Sequence, residues 1–221
     1  MRSFFLDIAS HNGFLACATE HDIISVREVD TRIRDHELVL LVEELLKEAE
    51  WKYADLTRIA CVVGPGGFTS LRVAVTFANT LIDQLGIEGA GIHLSDLHRV
   101  RAEVSEPRLR ESKKSAAAVR LPQLDALWLH ATKRDSFFIR GFGKYEKIWP
   151  ESILLPIEEA KEKIPQGAIW MGELLDEQRN TLAPLRLQEA ALQPISSILP
   201  SFLVSQRWNT VPLQPWYGRS W

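Results

Sequence analysis

Cysteine is nearly absent: the 221 residues hold only Cys17 and Cys61. Each lies inside an apolar run, Leu15-Ala16-Cys17-Ala18 and Ile59-Ala60-Cys61-Val62-Val63. Two such thiols read as buried and reduced, which argues against a disulfide-stapled fold and against a thiolate metal site. Long hydrophobic runs are missing too. No stretch approaches the roughly 20 apolar residues that cross a bilayer. Phe4-Phe5-Leu6 is cut by Asp7 too early for a signal-peptide core, so a cytoplasmic chain without membrane contact is expected. Neither sign of charge is in excess. A formal net charge of -3, with 25% charged residues, provides no field to draw the chain onto nucleic acid, so contact with it should be indirect.

Catalytic signatures are equally scarce. The six histidines form no H-x-x-x-H or H-E-x-x-H pair; Leu40 stands four residues after His36, where a second metal ligand would belong. His93 and His98 are five apart, diverge on a helix, and read as surface or capping residues. There is no G-x-S-x-G elbow, and Thr69 and Ser70 have no evident base. No metal, required cofactor or catalytic group is therefore expected.

What is present is an alternation of strands and helices. Residues 3–9 predict a buried strand, Asn12-Gly13 a tight turn, and 14–19 and 23–29 two returning strands. A helix is expected over 36–50, a doubly buried strand over 58–63 and a second helix over 70–85, stopped by Gly86. A strand at 87–92 and a helix from about Ser95 follow. Beyond them come a hairpin (126–130 and 136–140), a helix at 157–164, a strand at 168–171, a helix at 174–182 and an extended tail over 211–218. The pattern is α/β with an antiparallel start. The interspersed Arg, Lys and Glu of 101–120 read as a solvated linker. It divides an N-terminal lobe (1–100) from a smaller C-terminal lobe and tail (121–221).

Two features could hold a phosphate. One is Asp7 with the polar turn that contains Ser10; the other is the glycine-rich loop Gly64–Thr69, where Gly66 and Gly67 bring backbone N–H groups to a helix N-terminus. The loop lacks the lysine of a Walker A motif and the spacing of a Rossmann turn, so a plain tight turn is the competing reading. The second helix adds another signal. Leu71, Ala74, Val75, Ala78, Leu81, Ile82 and Leu85 make one core stripe, while Val73 and Phe77 add apolar surface and leave a narrow polar ridge that includes Arg72. Such a helix is either internal or covered by another subunit. His36, Leu38, Leu41, Leu45, Arg72, Val73 and Phe77 are the expected interface. The seven tryptophans, three of them after residue 207, lack a basic setting and read as tail packing or a protein contact rather than base stacking.

The segment Gly64-Pro65-Gly66-Gly67-Phe68-Thr69-Ser70-Leu71-Arg72-Val73 closely resembles the G-P-G-S-F-T-G-L-R-I/V signature of the TsaB (YeaZ-like) family. Phe5-Leu6-Asp7-Ile8-Ala9-Ser10 resembles that family's L-A-I-D-T-S start, and 36–46 its H-S-x-x-L-L-P-x-I-x-x-L-L helix. Ala126–Phe142 sits like its D-A-R-R-x-E-V-Y hairpin and Pro212–Gly218 like its terminal P-x-Y-L-R. The resemblance implies an actin/sugar-kinase/Hsp70-like (ASKHA, ribonuclease H-like) fold of two α/β lobes, the second reduced, related to the glycoprotease-like TsaD family. It implies a non-catalytic scaffold in N6-threonylcarbamoyladenosine formation at position 37 of tRNA. The partners would be a TsaD-like catalytic subunit met through the first two helices, a TsaE-like ATPase, or a second copy when alone. ATP or ADP would bind only in the complex. Departures are present: Gly67 and Ser70 exchange the family's usual Ser and Gly, Ile8-Ala9 replace Thr-Ser, and His130-Ala131-Thr132 stand where D-A-R is usual. Two alternatives share the fold: a glycoprotease-like hydrolase or small-molecule kinase, and a homodimeric interaction module.

Overall fold

A computed structural model describes residues 1–29, 35–105 and 124–218, apart from the side chains of 35, 36 and 103–105. These residues form two compact units. One is Met1–Leu94 with the segment from Ile195, and the other is Ser95–Pro194.

The first unit is built on a five-stranded mixed sheet in the order β3-β2-β1-β4-β5. β1 (Ser3–Asp7) is buried along its whole length, as a central strand covered on both faces must be. It pairs antiparallel with β2 (Gly13–Ala18) and parallel with β4 (Arg58–Gly64), so Leu6 faces both Leu15 and Cys61. β3 (Ile23–Val29) and β5 (Glu88–His93) close the two edges. α1 (Asp35–Glu48) lays Leu38, Val42, Leu45 and Leu46 into the core with α2 (Phe68–Leu85), whose buried residues are Leu71, Ala74, Val75, Ala78, Leu81 and Ile82. α2 ends where Gly86 takes a left-handed conformation (φ 63°) and donates its N–H to the Ile82 carbonyl, as the helical period and the glycine led one to expect. Both cysteines are buried thiols.

The second unit contains α3 from Ser95 onward (Leu94–Ser105), β6 (Leu127–Ala131), β7 (Ser136–Gly141), β8 (Ile153–Pro156), α4 (Ile157–Lys163), β9 (Ile169–Glu173), α5 (Asp176–Leu182) and β10 (Gln188–Glu189). Its sheet runs β10-β9-β6-β7-β8. Read from the opposite edge this is β8-β7-β6-β9-β10, the connectivity of the first sheet: three antiparallel strands with two parallel ones added beside the first. The duplication is one of topology, with no sequence repeat to announce it. Leu127, Leu129, Phe137, Ile139, Tyr145, Trp149, Leu155 and Trp170 fill its core.

The division differs from the sequence boundaries at both ends. Residues 95–105 go with the second unit, and the chain after 195 returns to the first. The return carries α6 (Ile195–Val204), whose Ile198, Leu199, Phe202 and Leu203 are buried. The charged stretch expected over 101–120 continues α3 to 105, and its remainder lies outside the described residues. Among the described residues, no helix is long and apolar enough to cross a membrane.

Candidate functional site

The two polar features singled out in the sequence meet at the ends of β1 and β4. As β1 stops, the Asp7 carboxylate turns back on its own chain. It accepts the Ala9 N–H at 3.0 Å, the Ser10 N–H at 3.1 Å and the Ser10 hydroxyl at 2.5 Å. Asp7 and Ser10 are each 1% exposed. This is an Asx-type turn locked by charge-assisted bonds, and both carboxylate oxygens are engaged in it. The glycine loop lies directly against that turn. A side chain at Gly66 would come within 2.5 Å of the Ala9 carbonyl and 2.7 Å of its methyl, and Gly67 donates its N–H to the same carbonyl at 3.2 Å. Gly66 is needed because two pieces of backbone touch here, whereas a side chain at Gly67 would meet only Ser70 at ordinary contact distance. Thr69 is exposed on the first turn of α2. Asp7, Ser10, Gly66 and Gly67 are thus brought into one assembly, with Thr69 at its rim. Behind it, burial pushes the Cys61 thiol above its ordinary value and the Asp7 charge adds to the rise.

The tail closes over the same loop. Trp216 donates its N–H to the Val63 carbonyl at 2.7 Å, and its own carbonyl fills the space that a side chain on Gly64 (φ 144°) would need. Its indole sits edge-on to His93 at 4.7 Å, and Tyr217 meets Phe68 at 5.0 Å. Further back, Asn79 of α2 holds both backbone groups of Leu213, at 2.7 and 3.0 Å, and Asn209 bridges Gly89. The surplus apolar surface of α2 therefore has, in part, an intramolecular cover: Leu213 is a core residue of the first unit.

The expected interface residues divide. Leu38 (1% exposed) and Leu45 (fully buried) belong to the core, so they are corrected from interface to packing. The period was right, but the outward apolar residues of α1 are Val39 (41%) and Leu40 (58%). Leu41, Val73 and Phe77 are half-buried against the core, and Arg72 is exposed with its guanidinium over the Phe68 ring at 5.5 Å. The His36 side chain lies outside the described residues.

A second polar cluster, which sequence reasoning missed, lies within the second unit. Trp128 and His130, two apart on β6, stack at 5.4 Å with a 6° interplanar angle. Trp128 donates its indole N–H to His98 Nδ1 at 3.3 Å, and His130 Nδ1 lies 3.4 Å from the Glu173 carboxylate on β9. Burial lowers the Arg101 pKa, and the Glu173 charge partly restores it. His98, expected at the surface or as a cap, is only 3% exposed. The signal available was Trp-x-His at the strand period; the partner Glu173 is 43 residues away and could not be paired from spacing.

Residues 30–111 match the sequence family described as TsaD, tRNA N6-adenosine threonylcarbamoyltransferase. The curated relatives include two proteins of that name from Legionella pneumophila strains Corby and Paris. Each is 32% identical over 107 residues, covering 45% of this chain and 32% of the relative. The chain thus spans about a third of the length of the curated relatives it matches. Among solved structures, a Pseudomonas aeruginosa protein described as similar to the peptidase YeaZ covers 99% of both chains with a TM-score of 0.63 and 19% identity. This chain has the fold of the YeaZ proteins. YeaZ from Pseudomonas aeruginosa itself aligns over 96% of this chain and 98% of its own, with a TM-score of 0.60 and 16% identity. The matches fit the TsaB and glycoprotease-like family named from the sequence, and the two mixed sheets with their helices are the ASKHA-type architecture that resemblance implied.

Proposed function

We propose that this chain is a non-catalytic scaffold subunit of the system that forms N6-threonylcarbamoyladenosine at position 37 of tRNA, where it binds and supports a TsaD-like catalytic subunit. The observation that carries the reading is a YeaZ-like fold running the length of a chain whose residues 30–111 are TsaD-like. The polar site adds support. An ASKHA-type hydrolase or kinase needs a carboxylate free to act on substrate, and here both Asp7 oxygens are engaged in their own turn. A TsaE-like ATPase completes the set, and a second copy takes the TsaD-like partner's place when the chain is alone. ATP or ADP enters only in the complex, tRNA is met through the partner, and the setting is the cytoplasm. The contact surface is the outward face of α1 at Val39 and Leu40, continued by Arg72, Val73 and Phe77 of α2.

The test is reconstitution with the TsaD-like and TsaE-like proteins of the same cell, the modified adenosine being scored by mass spectrometry. Omitting this chain should abolish modification. Unchanged modification without it, or turnover by the chain alone that Asp7→Ala removes, would favour the enzyme reading.

A further inference from the structure

The second unit carries a pocket of about 200 Å³ beside β10, far along the chain from the Asp7 turn. Its lining includes the apolar Trp170, Leu174 and Leu182. Two arginines also line it. Arg179 lies 4.8 Å over the Trp170 indole and donates two hydrogen bonds to the Glu189 carboxylate, at 2.7 and 3.3 Å, so its charge is already met. Arg186 is exposed, and among the described residues no acceptor lies against its guanidinium. The Arg186 backbone is left-handed (φ 52°, ψ 43°), a conformation that favours glycine and costs an arginine on the order of 1 kcal/mol.

Sheet geometry adds a third feature. β10 is the outer strand, and it pairs with β9 through the N–H groups of Gln188, to Ala168, and of Ala190, to Trp170. The residue between them, Glu189, therefore turns its own N–H and C=O to the open edge. An apolar cavity, an unmatched cation and an open strand edge thus adjoin one another.

We propose that this pocket receives the C-terminal residue of a peptide chain. Its apolar side chain enters against Trp170, Leu174 and Leu182, its carboxylate lies on Arg186, and the residues before it extend along the β10 edge. The volume decides between occupants. Small-molecule sites run at roughly 300–1,000 Å³, and 200 Å³ holds little more than one side chain and its carboxylate. Charge complementarity then selects an anionic end, and the edge supplies main-chain bonds as in strand addition. This site lies in the second unit, and the proposal stands or falls without the α1 surface.

The test is titration of the full isotope-labelled chain with glycine–serine hexapeptides ending in leucine, as the free acid and as the C-terminal amide. Backbone resonances near Trp170 and Glu189 are followed by NMR. The free acid should move them, and the amide should bind at least tenfold more weakly, the worth of one charge-assisted bond. Arg186→Gly should weaken the free acid to the level of the amide while leaving the melting temperature unchanged or higher, because glycine suits φ 52°. Equal binding of acid and amide, an unchanged affinity in Arg186→Gly, or no shift at millimolar free acid would overturn the proposal. N-acetyl-leucine binding as tightly as the hexapeptide would overturn it too, since the strand edge would then contribute nothing.

Discussion

The two units run the same strand connectivity and put their chemistry in the same place, yet they arm it differently. In the first, the strand that opens the sheet ends at Asp7, and the parallel strand beside it ends at a glycine loop feeding an 18-residue helix. In the second, the corresponding pair ends near His130 and at Glu173, and the helix that follows has seven residues. The first unit closes its polar end with backbone, a turn and a loop touching through Ala9, Gly66 and Gly67. The second closes it with side chains, a stacked Trp128–His130 pair and the Glu173 carboxylate. A common topology therefore fixes where polar ends gather, while the residues placed there decide whether the end is a rigid turn or a titratable cluster. The two longest described helices, α1 and α2, belong to the first unit, and α1 carries the outward Val39 and Leu40.

Variants placed at matching points sharpen that contrast. The largest effect should come from Leu45→Glu, which puts an unpaired carboxylate in the core of the first unit. It should lower stability by about 4 kcal/mol or more, seen as loss of cooperative unfolding. An intact, cooperative protein would mean that Leu45 faces outward after all. Asp7→Ala comes next. It strands two buried N–H groups and a hydroxyl, and should cost about 3 kcal/mol in a urea titration. Glu173→Gln, at the matching point of the second unit, keeps the shape and removes one charge, so about 1 kcal/mol is expected. Equal losses for Asp7→Ala and Glu173→Gln would erase the distinction between a turn and a cluster.

The sequence made the elements with strong local signals legible. The leucine period of α1 and the Gly86 stop each specify their structure within a few residues, and both were read within one or two positions of where they fall. The tight turn expected at Asn12-Gly13 is corrected: Gly13 already opens β2, where it pairs with Val29, and the connection from β1 spans residues 8–12, ordered by the Asp7 carboxylate rather than by an Asn-Gly pair. β8, β10 and α6 were not read. β8 is four residues long and ends in Pro156, β10 is two, and α6 contains Pro200, which ordinarily interrupts a helix. Their pairing is also non-local: α6 and the Asn79–Leu213 clamp depend on a return across more than 100 residues, invisible to any window. The same limit explains the interface residues. Leu38 and Leu45 share one side of α1 and Val39 and Leu40 the other, but only the fold decides which side meets the sheet.

The account rests most on the outward face of α1, and one comparison addresses it directly. Leu40→Glu and Leu154→Glu place a carboxylate on exposed apolar residues of the first and second units, 58% and 37% exposed, and each should change folding stability by less than about 0.5 kcal/mol. Co-purification with the TsaD-like subunit, followed by light scattering on the eluted complex, separates them. Leu40→Glu should elute as a folded monomer while Leu154→Glu retains the partner. A stable complex with Leu40→Glu, or its loss with Leu154→Glu, would contradict a scaffold that works through the helices of the first unit.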